Sequence, residues 1–105
     1  MSDSDLLDEF CDALWLEEGL SRNTLESYRR DLSQFSAWLA RERHLNLPEA
    51  GQADLLAYLA HQFAVHMKAT TSSRMLSSLR RFYRYQLRQG KIQADPTLQI
   101  EMPQL

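Results

Sequence analysis

The sequence has 105 residues, of which 44% are hydrophobic and 25% charged, and its formal net charge is −2 at pH 7. This length suits one compact domain with a single core and is too short for two. Only three glycines and three prolines occur, and no long alternation of apolar and polar residues indicates a strand, so the composition favours helices. We therefore expect an all-α fold.

The single cysteine, Cys11, cannot form an internal disulfide. There is no apolar run of membrane length, and Met1 is followed by acidic residues rather than by a signal peptide. Both features predict a cytoplasmic protein without a membrane partner. Cys11 has no nearby basic residue in the sequence, which favours a small, partly buried side chain over a reactive thiol.

The small net charge conceals a strong asymmetry along the chain. Residues 1–54 contain twelve acidic and five basic side chains, a net charge of −7. Residues 55–94 contain seven basic side chains and no acidic one. A basic half of this kind predicts an anionic partner.

The first predicted helix runs from about Ser4 to Glu18, with Ser2 or Ser4 as its N-terminal cap and Gly19 at its end. Acidic residues in its first turns suit the positive end of the helix dipole. Its apolar stripe consists of Leu6, Leu7, Phe10, Ala13 and Leu14.

The second predicted helix starts within the segment Ser21 to Thr24 and ends at about Arg43. Its apolar stripe consists of Leu25, Tyr28, Leu32, Phe35 and Leu39, with Trp38 at the edge. The opposite side carries Arg22, Arg29, Ser33 and Ser36. Periodicity alone leaves two interpretations of this polar side open, a binding surface or an ordinary solvated face with a Glu26–Arg30 pair.

A third helix is predicted after the connection 44–53, starting at Gly51 or Asp54. Its apolar positions are Leu55, Leu56, Leu59, Phe63 and Met67. The histidines do not form a ligand cluster, since His61 and His66 are about 140° apart on a helix, at 100° per residue, and no acid lies nearby in the sequence. We therefore expect no metal.

The fourth predicted helix is capped by Thr70 or Thr71 and ends at Gly90. One side of it is apolar, with Met75, Leu76, Leu79, Phe82, Tyr83 and Leu87. The other side carries Arg74, Arg81, Arg84 and Arg88. Asp95-Pro96 then breaks the helical pattern, which predicts a domain over residues 1–94 and the start of a linker at residues 95–105.

No catalytic pattern accompanies these helices. The sequence has no glycine-rich phosphate loop, no metal-ligand cluster and no serine or cysteine nucleophile motif, so we expect neither a catalytic residue nor a cofactor. Arginine, asparagine and small hydroxyl side chains near helix starts are typical of contacts with phosphates and base edges. The pattern favours DNA or RNA binding, and the alternative is a helical protein-interaction module that binds an acidic partner.

Several spaced motifs resemble the N-terminal core-binding domain of tyrosine site-specific recombinases of the Xer type. The resemblance covers nearly all of residues 5–98. Its motifs are Leu20-Ser21-Arg22-Asn23-Thr24-Leu25, Tyr28, Asp31-Leu32, Phe35, Trp38-Leu39, Lys68-Ala69-Thr70, Arg74, Leu76-Ser77, Leu79-Arg80-Arg81-Phe82-Tyr83 and Asp95-Pro96. The sequence departs from the family at Val65-His66-Met67, where many relatives have glycine.

The resemblance implies four helices in two hairpins, crossed roughly at right angles, with the second and fourth helices facing the major groove of double-stranded DNA. Together with the two polar faces, it gives the predicted DNA contacts Arg22, Asn23, Thr24, Arg29, Lys68, Thr71, Ser72, Arg74, Ser77, Arg81, Arg84 and Arg88.

The resemblance also implies a longer parent enzyme. In this family a separate C-terminal domain carries the catalytic arginines, a histidine motif and the tyrosine nucleophile; no His-x-x-Arg occurs in this sequence. Such a parent would act in site-specific recombination and chromosome dimer resolution at cell division. Its implied partners are the recombination site, a paralogous recombinase in a tetramer on DNA and a septal DNA translocase, whereas the present chain is expected to be monomeric in isolation.

Overall fold

The structure is a computed structural model that describes residues 1–65 and 69–100, with side chains 69–72 outside the description. Within these described residues there are four helices: α1 (Asp3–Glu18), α2 (Arg22–Glu42), α3 (Gln52–Val65) and α4 (Ala69–Arg88). A single 3₁₀ turn, Leu47–Glu49, lies between α2 and α3. The predicted all-α class is confirmed. The chain divides into two compact units, unit 1 (residues 1–47) and unit 2 (residues 48–105).

In unit 1, α1 begins and ends where the sequence predicts. The Ser2 hydroxyl accepts a hydrogen bond from the Asp5 amide at 3.2 Å, and the Asp5 carboxylate accepts one from the Ser2 amide at 3.1 Å. This reciprocal capping box satisfies two amides that the helix itself cannot pair. Gly19 closes α1 in the left-handed conformation, at φ 62°. Leu6, Leu7, Phe10 and Leu14 are buried along one side.

The second helix of unit 1 packs against α1. Ser21 caps it by accepting a hydrogen bond from the Thr24 amide at 3.2 Å. The C-terminal end is unusual because the residue in the left-handed conformation is His44, at φ 57°, rather than glycine. The Leu45 amide donates to the Leu39 carbonyl across this turn at 3.3 Å, so the end of α2 is closed in spite of the β-carbon of His44.

Asp3 connects three parts of unit 1. Its Oδ2 accepts a hydrogen bond from the Ser36 hydroxyl of α2 at 2.6 Å. Its Oδ1 accepts one from the Leu47 amide at 3.0 Å. The first residue of α1 therefore holds the middle of α2 and the middle of the connection that follows α2, and charge-assisted bonds of this kind are stronger than neutral ones.

In unit 2, α3 packs against α4. The Asp54 carboxylate accepts a hydrogen bond from the Gly51 amide at 2.9 Å, which fixes the start of α3. Its buried residues include Leu55 and Tyr58, whereas two predicted core residues are exposed, Leu56 by 47% and Phe63 by 59%. That part of the prediction is wrong because α3 is apolar on most sides, so its periodicity does not select one buried stripe. The predicted core residue Met67 lies outside the described residues.

The start of α4 differs from the prediction, and its end agrees. The helix begins at Ala69, so Thr70 and Thr71 lie in its first turn rather than before it. Gly90, at φ 75°, ends it, with the Lys91 amide donating to the Gln86 carbonyl and the Gly90 amide to the Leu87 carbonyl, each at 3.0 Å. This pair of bonds is the Schellman arrangement.

The apolar side of α4 is buried largely as predicted. Met75, Leu76, Leu79, Phe82 and Tyr83 are at most 1% exposed. Leu87 is 39% exposed, and Gln86 is buried in its place. On a helical wheel Gln86 lies near the centre of the apolar arc and Leu87 at its edge, about 100° away, so position rather than residue type decided which of the two is buried.

Candidate nucleic-acid interface

Arginines form a continuous stripe along one side of α4. Arg74, Arg84 and Arg88 are exposed, and Arg81 and Ser77 are partly exposed. At 100° per residue, the four arginines fall within an arc of about 80°. The buried apolar side fixes the rotation of α4, so the arginine stripe is turned towards solvent. This geometry agrees with the polar side expected from the sequence.

One arginine of the stripe is positioned by its own helix. The Arg88 guanidinium lies over the Tyr85 ring, 5.3 Å from its centroid. A cation over an aromatic face is held by the ring quadrupole and keeps its outward hydrogen-bond donors. Tyr85 therefore serves as a platform for the C-terminal end of the stripe.

The start of α2 carries three of the predicted contacts. Arg22 and Asn23 are exposed. Thr24 is only partly exposed, and its hydroxyl lies 2.9 Å from the Ser21 hydroxyl. Thr24 therefore takes part in the capping of α2, which leaves Arg22 and Asn23 as the more accessible side chains at this helix start.

Two further residues of the predicted polar side of α2, Arg29 and Ser36, contact α1. Arg29 Nη2 lies 2.7 Å from Asp8 Oδ1, and the Ser36 hydroxyl donates to Asp3. The hydrogen bond to Asp8 raises the pKa of Arg29 above its ordinary value. Arg29 therefore retains its charge, but Asp8 lies beside it and offsets much of the positive field that the sequence assigned to this position.

Cys11 lies in the same part of unit 1. Burial raises the pKa of its thiol, and the Arg29 guanidinium opposes part of that rise. The thiol therefore stays protonated to higher pH than an ordinary cysteine.

A cavity of about 350 Å³ opens beside this thiol between α1 and α2. Its lining residues are Cys11, Asp12, Trp15, Arg22, Leu25, Glu26 and Arg29. The lining contains both charge signs and an aromatic ring, so the cavity has no field of one sign that would select a phosphate.

The structure reveals an outward stripe on α2 that the sequence prediction missed. Asn23, Arg30, Gln34 and Arg41 are exposed, and Ser27 is partly exposed between them. Taken at 100° per residue, these five positions lie within about 60° of one another. We call them the α2 outward stripe. The α2 outward stripe lies about 150° from the centre of the predicted apolar stripe at 100° per residue, whereas the predicted polar side lies only about 90° from that centre.

Three predicted contacts cannot be placed. Lys68 lies outside the described residues, and so do the side chains of Thr71 and Ser72. In the part of the chain that the structure describes, no group of three or more histidine, cysteine, aspartate or glutamate side chains could hold a metal ion. Within those same residues, no helix is both long enough and apolar enough to cross a membrane.

Comparison with known proteins identifies the relatives of this chain. Residues 7–90 match the model of the phage integrase N-terminal SAM-like domain. The chain is 53% identical over 100 residues to the tyrosine recombinase XerD of Pseudomonas aeruginosa, covering 95% of this chain and 33% of that protein. It is 49% identical over 100 residues to the XerD of Shewanella oneidensis, covering 95% and 33%.

A more distant relative has the same extent of match. The XerD of Yersinia pestis is 41% identical over 103 residues, covering 98% of this chain and 34% of that protein. The chain thus spans about a third of the length of the curated relatives it matches. The family match covers most of the chain, including all four helices in whole or in part, and the chain belongs to the phage integrase N-terminal SAM-like domain family.

Proposed function

We propose that this chain binds double-stranded DNA as the N-terminal part of a site-specific tyrosine recombinase. The observation that carries the proposal is the arginine stripe of α4, which lies in a segment, residues 55–94, without a single acidic residue. Duplex DNA carries roughly one negative charge per 1.7 Å of its axis, and each phosphate that an arginine neutralises releases condensed counterions. A straight row of arginines on one helix suits such a target.

The α2 outward stripe extends the proposal to unit 1. Arg30 and Arg41 are suited to phosphates, and Asn23 and Gln34 can pair with adenine edges in the major groove. We assign DNA contacts to this stripe and to Arg22, with a lesser role for Thr24 and Arg29. Of the earlier candidates on α4, Arg74, Ser77, Arg81, Arg84 and Arg88 keep their assignment, as do Lys68, Thr71 and Ser72.

The proposal for the whole parent protein rests on the relatives, which are named tyrosine recombinases. Strand cleavage and rejoining then belong to residues outside this chain. The parent would recombine a chromosomal site in the cytoplasm and resolve chromosome dimers at cell division. Its partners would be a second recombinase in a tetramer on DNA and a septal DNA translocase, and this chain by itself would be monomeric.

The first test is the salt dependence of binding. Fluorescence anisotropy of a labelled duplex should show an affinity that falls linearly on a plot of log affinity against log salt, with a slope of about −0.9 per phosphate contact. Each of two duplexes, one containing a recombination site of a relative and one of scrambled sequence, should show this fall. No binding at low salt would contradict the proposal and favour an interaction module for an acidic protein.

The second test compares single arginines. Arg84→Gln should weaken binding to both duplexes and make the salt slope shallower by about 1, as expected for a phosphate contact. Arg43→Gln is the matched control, because Arg43 is exposed, lies off both stripes and has its guanidinium 5.5 Å from the centroid of the Trp38 ring. Arg29→Gln should have a smaller effect than Arg84→Gln since Arg29 is bound to Asp8. Equal effects of Arg84→Gln and Arg43→Gln would remove α4 from the interface.

A further inference from the structure

Residues 95–100, which follow α4 in the chain, are part of unit 2. These residues form turns, with Asp95, Thr97 and Ile100 buried and Leu98 exposed. We call residues 95–100 the strap. A flexible tether would have its side chains in solvent, so the burial of three of the six strap residues indicates a fixed path.

Local hydrogen bonds account for the shape of the strap. Asp95 Oδ1 accepts one bond from the Thr97 amide at 2.8 Å and another from the Thr97 hydroxyl at 2.6 Å. Pro96, between them, restricts the backbone to an angle compatible with such a turn. The Ile100 amide then donates to the Thr97 carbonyl at 3.2 Å. The sequence Asp-Pro-Thr thus specifies a closed turn rather than only the end of a helix.

An arginine of α4 attaches the strap to the helix. The Arg80 guanidinium donates a hydrogen bond from Nη2 to the Ile100 carbonyl. Arg80 is only partly exposed, and on the wheel it lies about 120° from Arg74, outside the arginine stripe. Its charge-assisted bond is directed at a backbone carbonyl of the same unit. Arg80 therefore has a different task from Arg84, although both belong to the same acid-free segment.

We propose that Arg80 is a positioning residue that fixes the strap on α4, so that the chain continues from unit 2 in a direction set by this helix. Any longer chain would then follow the orientation of α4 instead of moving independently of it. The Arg80 bond and the burial of Ile100 hold the strap on unit 2, and the Asp95–Thr97 turn maintains its shape. This inference does not depend on DNA binding.

The test is residue-resolved amide hydrogen exchange on the 105-residue chain without DNA. In the unmodified chain, the amides at positions 97 and 100 should exchange at least about tenfold more slowly than the same sequence in an unstructured peptide. Arg80→Gln and, separately, Asp95→Ala, which removes the acceptor of the Thr97 amide and hydroxyl, should remove most of this protection. Arg84→Gln makes the same chemical change on the exposed side of α4 and should leave it unchanged.

The amide of Leu79 reports whether a variant still folds, because Leu79 is buried in the middle of α4. Its protection should be unchanged in all three variants. Chymotrypsin gives a second measurement, since the exposed Leu98 should be cut several-fold faster in the Arg80→Gln and Asp95→Ala chains than in the unmodified one.

Two results would overturn the inference. Exchange at positions 97 and 100 as fast as in the unstructured peptide would show that the strap is not fixed. Protection that survives Arg80→Gln would show that Arg80 does not position it. If DNA binding fails while strap protection responds as expected, only the proposed function is lost.

Discussion

The polar sides of α2 and α4 look alike in the sequence but differ in the structure. Each helix has about twenty residues, a buried apolar side and a polar side with arginine and serine. In α2, Arg29 and Ser36 lie against acidic residues of α1. In α4, Arg84 and Arg88 are exposed in a segment without acids. Part of the predicted polar side thus contacts the neighbouring helix in unit 1, whereas in unit 2 the predicted polar side of α4 is exposed.

The difference follows from the neighbouring helix. α1 is acidic, and its carboxylates lie within reach of the basic side of α2, where Asp8 meets Arg29 at 2.7 Å. α3 has only one acidic residue, Asp54, in its first turn, where the carboxylate accepts from the Gly51 amide. A basic face that lies beside its partner helix is therefore available to an external anion only when that partner supplies no acid within reach, a condition that involves two helices rather than one.

The largest effect on stability is expected from removing the Asp3 carboxylate of unit 1. Asp3→Ala removes the acceptor of the Ser36 hydroxyl and the Leu47 amide and should lower the free energy of unfolding by about 2 kcal/mol, as expected for bonds to a charged group. Urea denaturation measures this loss. Asp12→Ala is the control, because Asp12 is an exposed aspartate on the same helix. Equal losses in the two variants would refute the connecting role of Asp3.

A second prediction concerns a buried polar residue on α4. Gln86 is 1% exposed, and neither its Nε2 nor its Oε1 has a hydrogen-bond partner among the described residues. Gln86→Met keeps the shape and removes the unpaired amide, so the free energy of unfolding should rise by roughly 1 to 2 kcal/mol. Gln89→Met, at an exposed position, should change it little. A loss of stability in Gln86→Met would indicate that the amide is paired.

The C-terminal ends of α2 and α4 provide a third comparison. At both helix ends the backbone turns through the left-handed conformation, at His44 with φ 57° and at Gly90 with φ 75°. Removing the β-carbon of His44 should relieve steric strain, and His44→Gly should stabilise unit 1 by about 0.5 to 1 kcal/mol.

His44→Ala keeps the β-carbon and should give no such gain, which separates the backbone effect from loss of the imidazole. Gly90→Ala should lower the free energy of unfolding by about 1 kcal/mol. This cost comes from the backbone conformation and not from a steric clash, because a β-carbon there would meet no atom within 4 Å. Thermal or urea unfolding of the three variants measures these changes. Stabilisation by His44→Ala equal to that by His44→Gly would contradict the explanation.

The helices and most of their ends could be predicted from the sequence because the determining interactions are local. Ser2, Ser21, Gly19 and Gly90 act within four residues of the positions that they cap. The buried side of α4 could be predicted because it is strongly amphipathic. The exposure of Leu56 and Phe63 on α3 could not, since a helix that is apolar nearly all round gains its orientation only from packing.

The interface could be predicted only in part, for a related reason. The arginine stripe of α4 follows from periodicity, but the contact between Arg29 and Asp8 joins residues 21 positions apart and depends on how α1 packs on α2. The α2 outward stripe was missed because the predicted polar side was centred on Arg22 and Arg29, about 90° from the centre of the apolar stripe, and not on the residues about 150° from it. The sequence alone does not distinguish Arg80 from the other arginines of α4, because its bond to the Ile100 carbonyl depends on the path of the strap.

The smallest predicted effect tests the contact between α1 and α2 through Cys11. Burial raises the pKa of this thiol, and Arg29 opposes part of the rise. Only the thiolate is alkylated, so the pH midpoint of the iodoacetamide reaction should lie higher in the folded chain than in the same chain in urea. Arg29→Gln removes the opposing charge and should move that midpoint higher still.

Arg22→Gln is the control for this shift because Arg22 lines the same cavity and does not contribute to the pKa shift of Cys11. The midpoint, rather than the limiting rate at high pH, is the decisive quantity, since loss of the Arg29 side chain also changes access to the sulfur. A lower midpoint in Arg29→Gln would mean that opening the site to water outweighs the lost charge. Arg29 would then act on Cys11 mainly by covering it, and its bond to Asp8 would hold that cover in place.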